Sequence, residues 1–157
     1  MLTKSLLLAI LLSCLIASCD YGSNRITLES NALPPTFKLH GTDQVQWVWI
    51  TGPYQNEREP APKLPPAEGP NKYMIWRIAP AREFASMDEI PQITYGQTPD
   101  GWRQEFPEAG APPPLLDGYV YHIRAIPVRR ETTLLCVYVK GGQLHPYKSD
   151  TQDSDCK

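Results

Sequence analysis

The chain has 157 residues, of which 20% are charged and 41% are hydrophobic, and its formal net charge is −2. This length suits one domain of ordinary size and excludes a large multidomain enzyme or a polytopic membrane protein. The basic residues form no stripe or cluster, so we do not expect a nucleic acid as a partner. All 17 prolines follow residue 18. Long helices are not expected at that density, because an interior proline removes a hydrogen bond and clashes with the preceding turn.

Residues 1–18 have the composition of an export signal. Lys4 supplies a positive charge, and an apolar run over residues 6–16 follows it. At about 11 residues the run is shorter than the roughly 20 that a spanning helix needs. It is followed by the small residues Ala17 and Ser18, as a cleavage site requires. We therefore predict that residues 1–18 are removed.

The residues Ile16-Ala17-Ser18-Cys19 resemble the lipobox of bacterial lipoprotein precursors. This resemblance covers about the first 19 residues. It implies cleavage between Ser18 and Cys19 and acylation of Cys19, whose two or three acyl chains would hold the protein stably on a membrane. Asp20 resembles the signal that retains enterobacterial lipoproteins in the inner membrane. The resemblance thus implies a lipid-anchored protein that faces the periplasm, with the inner membrane favoured over the outer. Plain secretion with a coincidental cysteine is the alternative.

After Cys19, residues 19–35 are polar and end at Pro34-Pro35. Such a composition buries too little apolar surface to offset the entropy of ordering the chain, so we predict a flexible tether.

Seven runs beyond this tether are rich in aromatic and β-branched residues, as strands favour. They are residues 36–40, 44–50, 73–78, 92–95, 119–126, 132–139 and 143–145. At most one short helix is predicted, over residues 81–87. The pattern predicts an all-β fold, an antiparallel β-sandwich of Ig-like or fibronectin-like architecture over residues 36–148, with a polar tail at 149–157.

Two connections concentrate the prolines, at residues 53–70 and 107–114. Loops longer than about 12–15 residues are uncommon in compact domains and are often functional or disordered. The first is interpreted either as a solvated extended flap or as a polyproline surface that docks in an aromatic groove of a partner.

Cys136 and Cys156 are the thiols left once Cys14 is removed and Cys19 is acylated. Export favours a disulfide between them, closing a loop of about 20 residues. The alternative is a buried thiol at Cys136 and a loose tail that carries Cys156, and both interpretations stay open.

The three histidines share no metal-ligand spacing, so no metal or other cofactor is predicted; they are His40, His122 and His145. Nucleophile elbows, phosphate loops and dinucleotide fingerprints do not occur in the sequence, and we predict that the chain is not an enzyme.

Residues 93–107 mix aromatic, basic and amide side chains around a Pro-Asp-Gly turn. Tyr95, Trp102, Arg103 and Phe106 are candidate partner-binding residues, because Tyr, Trp and Arg are enriched at binding hot spots. The alternative is that these aromatic rings cover the open end of the sandwich. Segments 93–96, 101–102 and 115–121 resemble small bacterial envelope lipoproteins, a resemblance that implies no particular activity.

Together these features predict a lipid-anchored cell-envelope protein that acts as a binding or assembly module with an envelope protein partner. One alternative is a periplasmic inhibitor or immunity-type protein that blocks an enzyme through residues 95–106. Another is a small hydrolase that uses His122 with a loop carboxylate.

Overall fold

The computed structural model describes residues 23–55, 73–82, 84–129, 131–148 and 156. The predicted export signal, Cys19, most of the 53–70 connection and most of the 149–157 tail lie outside these residues. Within the described ranges, no helix is long and apolar enough to cross a membrane.

Over these residues the chain forms ten strands and one 3₁₀ turn. They are β1 (Arg25–Ser30), β2 (Thr36–His40), β3 (Gln44–Tyr54), β4 (Met74–Pro80), β5 (Ala85–Ser86), the 3₁₀ turn (Met87–Glu89), β6 (Ile93–Thr94), β7 (Trp102–Phe106), β8 (Val120–Pro127), β9 (Thr133–Lys140) and β10 (Gln143–Pro146).

The strands build two antiparallel sheets that face each other. The smaller sheet has the order β1-β2-β6, and the larger has the order β10-β9-β8-β3-β4-β7, with β5 paired to β3. The apolar side chains of both inner faces form one buried cluster, from Phe37 and Leu39 on β2 to Ile50 on β3 and Ile123 on β8. This arrangement confirms the predicted all-β sandwich, since each one-sided sheet buries its apolar face against the other.

The predicted tether is wrong over Arg25–Ser30, which forms β1. Its pairing with β2 aligns Ile26 with Leu39 and Leu28 with Phe37. Two apolar positions among polar residues are a weak strand signal by themselves. The strand forms because β2 supplies hydrogen-bond partners and the core takes up Ile26.

The predicted helix over residues 81–87 is also wrong. Ala85–Ser86 pairs with the first two residues of β3, and only Met87–Glu89 turns helically. Tertiary pairing with a strand edge overrides the weak helical propensity of so short a segment. β7 was not predicted as a strand, because charged and amide residues occupy its centre.

A disulfide joins Cys136 of β9 to Cys156 near the C-terminus, with a Cα–Cα distance of 5.6 Å and a sequence separation of 20 residues. Both cysteines are buried. The sequence left open whether these cysteines form a disulfide, and the structure contains it. The bridge joins Cys156 to the larger sheet.

Replacing both cysteines by alanine is expected to lower the free energy of unfolding by about 3 kcal/mol, because the unfolded chain regains the freedom of a loop of about 20 residues. Guanidinium unfolding of Cys136→Ala/Cys156→Ala checks this value. The reduced wild-type chain is the matched control and should unfold at the same guanidinium concentration as the variant. A variant as stable as the oxidised wild type would contradict the prediction.

Candidate functional site

The sandwich has two ends with different properties. Asn24 lies at one end, where its side-chain amide donates to Asp43 Oδ2 over 2.7 Å. The turn 41–43 and Val128 lie at the same end, since the Val128 amide donates to the Gln44 carbonyl. We call this the Asn24 end. The opposite end contains the turn 31–35, the β9–β10 turn and the loop 107–118.

A groove of about 460 Å³ lies at that opposite end, which we call the groove end. Its walls come from three separate segments and are mostly apolar. The lining residues are Leu33, Pro34, Tyr95, Gly96, Gln97, Ala111, Pro112, Pro114 and Leu115. Leu33 is 39% exposed, so its side chain forms an accessible apolar rim. Gln97 supplies an amide that can both donate and accept hydrogen bonds.

Tyr95 fixes the shape of this groove. Its hydroxyl donates to the Pro113 carbonyl over 2.6 Å, which holds the proline-rich loop against the sandwich. Its ring meets Trp76 edge to face at a centroid distance of 5.4 Å. Its backbone amide donates to the Pro35 carbonyl, which brings in the turn that carries Leu33. Burial raises the pKa of the Tyr95 phenol, so the hydroxyl stays protonated as a donor.

The four predicted partner-binding residues do not form one surface. Tyr95 is 6% exposed and belongs to the core. Its ring therefore supports the wall of the groove and leaves little surface for a partner to contact. Trp102 packs against the core beside Pro80, towards the Asn24 end of β7. The Arg103 guanidinium donates to the Pro80 carbonyl and to Glu105. Partner contact through any of the four residues stays a prediction.

The structure does join two features that the sequence showed separately. Residues 95–97 of the aromatic stretch lie against the 107–114 connection in one groove. Leu33 and Pro34 complete it and were missed, because they lie within the predicted tether. An apolar Leu-Pro-Pro sequence in an otherwise polar segment was the signal that could have found them.

His122 is buried on the outer side of the larger sheet, next to the disulfide. Its ring stacks on Tyr54 at a centroid distance of 4.7 Å. Its Nδ1 lies 3.5 Å from an Arg124 nitrogen, and its Nε2 lies 3.4 Å from Cys156 Sγ. Because arginine can only donate, a hydrogen bond in the first contact requires Nδ1 as the acceptor.

In the part of the chain that the structure describes, the nearest arrangement to a metal centre is this same group. One atom each of His122, Cys136 and Cys156 lie within 4.8 Å of one another. The two sulfurs are joined to each other, however, and only the thiolate form of cysteine ligates a metal. In the disulfide form, His122 therefore packs on the bridge and contributes no metal site with it.

A second group missed from the sequence lies on the outer face of the larger sheet. Cross-strand pairing places Trp49 between Arg77 of β4 and Arg124 of β8. The Arg77 Nε atom lies 3.1 Å from Glu105 Oε2. Cross-strand neighbours of this kind stabilise a sheet by about 0.2–1 kcal/mol per pair. This stabilisation is sufficient to explain why these side chains lie next to one another.

No protein-family model matches this chain, and no match is found among the curated proteins or the solved structures. Its function must therefore be inferred from its own residues and their geometry.

Tyr95→Phe tests whether the Tyr95 hydroxyl supports the groove, and its effect on stability depends on pH. Loss of the hydrogen bond to Pro113 is expected to lower the free energy of unfolding by about 1 kcal/mol at pH 7. The raised pKa of Tyr95 keeps the phenol neutral in the native chain, whereas the unfolded chain ionises above about pH 10. Native stability contributed by this group is therefore present below about pH 10 and is lost as the pH rises further.

Urea unfolding of wild type and Tyr95→Phe between pH 7 and 12 checks both effects. The variant should lose stability less steeply above about pH 10. Some slope remains in both proteins, because burial raises the pKa of Tyr121 to about 12. Parallel curves for the two proteins above pH 10 would show that the Tyr95 phenol does not stay neutral in the native state.

Proposed function

We propose that the chain is an exported, lipid-anchored module of the cell envelope that binds an apolar segment of a protein partner in the groove. Its role is binding and recruitment, not catalysis. The observation that carries the proposal is the position of the groove. It lies at the opposite end of β1 from Asn24, the residue that the chain reaches soon after Cys19.

The six residues of β1 span about 20 Å from the Asn24 end to the groove end. An acyl anchor on Cys19 would therefore keep the Asn24 end beside the bilayer and direct the groove away from it. A partner in the same compartment would reach the groove without displacing the module from the membrane.

The buried disulfide supports export. Disulfides persist in oxidising compartments such as the bacterial periplasm and are rare in the cytosol. The bridge between Cys136 and Cys156 thus agrees with the compartment that the lipobox resemblance implies.

The chemistry of the groove favours an apolar ligand held by a few polar contacts. Binding clefts of about 300–1,000 Å³ with mostly apolar walls are typical ligand sites. Prolines 112 and 114 make the wall rigid, so little conformational entropy is lost when a ligand binds. Confinement to one membrane raises the concentration of the module near partners there, and a modest affinity then suffices.

The anchor is tested by Cys19→Ala. The variant is expected to lose incorporation of labelled palmitate and to move from the membrane fraction to the soluble fraction, because no acyl chain holds it. Cys14→Ala is the matched control and should keep both the label and the membrane location. A Cys19→Ala protein that still sediments with membranes after a carbonate wash contradicts the anchor.

The groove is tested by photo-crosslinking in intact envelopes. A benzophenone side chain placed at Gln97 or at Pro112 should give the same protein adduct, because both positions line one groove. His145, an exposed residue on β10, is the control position and should not give that adduct. Leu33→Asp should weaken the adduct, because a carboxylate at the apolar rim opposes an apolar ligand.

Equal adducts from the groove positions and from His145, or an adduct that Leu33→Asp leaves unchanged, would show that the groove is not the binding site. An adduct with a single enzyme would favour the inhibitor alternative, with the same groove as its contact.

A further inference from the structure

The Asn24 end carries exposed apolar side chains that the proposed function does not use. Among the described residues, three large hydrophobic side chains are exposed, and Leu33 belongs to the groove. The other two are Phe84 at 44% and Val128 at 39%, and both lie beside the start of β3, near the Asn24 end. Exposed apolar side chains gathered at one end of a domain require a reason that a single scattered residue does not.

Strand pairing places both residues beside the start of β3. Val45 pairs with Ala85 on one edge of β3 and with Pro127 on the other. Phe84 directly precedes Ala85, and Val128 directly follows Pro127. The two residues therefore lie at opposite edges of β3, with their backbones about two strand spacings, or about 10 Å, apart.

The chain from Cys19 reaches this same end and is fixed there. The side-chain amide of Asn24 donates to Asp43. Gly41 has a φ of +131°, and a Cβ at that position would collide with Asn24 Oδ1, so Asn24 sits against bare backbone. About five residues lead from Cys19 to Asn24, and they span at most about 18 Å when fully extended.

The short distance from Cys19 to Asn24 limits what can contact Phe84 and Val128. With acyl chains on Cys19 in a bilayer, the Asn24 end lies within about 18 Å of the lipid headgroups. A domain-sized protein inserted between the two would occupy more than that distance, whereas the bilayer surface itself fits.

Among the described residues, the charges at this end have both signs. Arg25 and Arg129 lie near Val128, but Asp43, Asp88 and Glu131 lie at the same end. This mixture of charges does not favour attraction to a partner of one sign. It suits contact through apolar side chains, as when peripheral proteins bury apolar faces at the headgroup boundary.

We propose that the Asn24 end docks on the bilayer, with Phe84 and Val128 entering the interfacial layer of the lipid. This inference rests on the proposed lipid anchor. The docked contact adds a second attachment to the acyl chains and holds the sandwich upright, so that the groove points away from the membrane in a fixed orientation.

The test uses the full acylated chain in phosphatidylethanolamine/phosphatidylglycerol vesicles that contain lipids brominated near the headgroup. Phe84→Trp places a reporter at the Asn24 end, and Leu33→Trp places a matched reporter at an exposed apolar position of the groove end. Loss of emission from the added tryptophan, relative to the parent chain, is measured in each case.

Docking predicts loss of emission for Phe84→Trp, no such loss for Leu33→Trp, and recovery of the emission when Val128→Ser is added to Phe84→Trp. Because the contact is apolar, the loss should persist at high salt. Equal quenching of the two reporters, or no quenching of either, overturns the docking.

Flotation of each variant with the vesicles separates this failure from failure of the anchor. Chains that float but show no difference between the reporters contradict docking alone. If the exported wild-type chain carries no acyl group and does not float, the lipid anchor is contradicted, and the docking inference falls with it. Unchanged circular dichroism of the variants confirms that each one is folded.

Discussion

The pairing of β3 on both of its edges is the interaction on which the rest of the structure depends. Its eleven residues bind β8 along one edge and β4 and β5 along the other. The inner side chains Val45, Val48 and Ile50 are fully buried and form the floor of the core. Because the strand spans the larger sheet from end to end, it sets the positions of β4, β5 and β8, which pair with it.

Near its end, β3 continues through a glycine that few other residues could replace. Gly52 has a φ of +139°, and a Cβ there would lie 2.7 Å from the Tyr121 ring. Its amide donates to the Tyr73 carbonyl, which connects the start of β4 to this point. The backbone conformation lets β3 pass close to β8 and bring Tyr54 beside the buried His122.

The two ends of the sandwich then differ because different segments close them. At the groove end, proline-rich segments and the turn 31–35 meet around Tyr95, and their stiffness leaves a cleft instead of a collapsed core. At the Asn24 end, short strand pairings bring Phe84 and Val128 to the surface beside the first described residues. The proposed membrane contact and the proposed partner contact therefore lie at opposite ends of the sandwich.

Much of the fold could be predicted because alternation is a local signal. β2 begins and ends at the predicted residues, and β8, β9 and β10 were predicted to within a residue or so. β3 extends past its predicted end, because Gly52 and Pro53 were taken as a break but pairing with β8 resumes at Tyr54. β1, β5 and β7 were missed, because polar residues or shortness hide their alternation and only neighbouring strands supply their hydrogen bonds.

The candidate site was less accessible from the sequence, because it depends on residues far apart in the chain. Tyr95 was singled out as a contact residue, but the core buries its ring and uses its hydroxyl to hold the Pro113 carbonyl. Leu33 was assigned to a tether and instead forms the rim of the groove. Exposure is decided by what packs on a side chain, and that packing is not encoded by its neighbours in sequence.

The sequence by itself determined the class of fold and the expectation of a lipid anchor, because strand alternation and the lipobox-like residues are patterns of adjacent positions. Only the tertiary structure decided that Cys136 meets Cys156, that residues 33, 97 and 112 share one groove, and that Phe84 and Val128 share the opposite end. These are long-range contacts. They follow from which strands pair and in which register, and that choice is made by burial of the whole core at once.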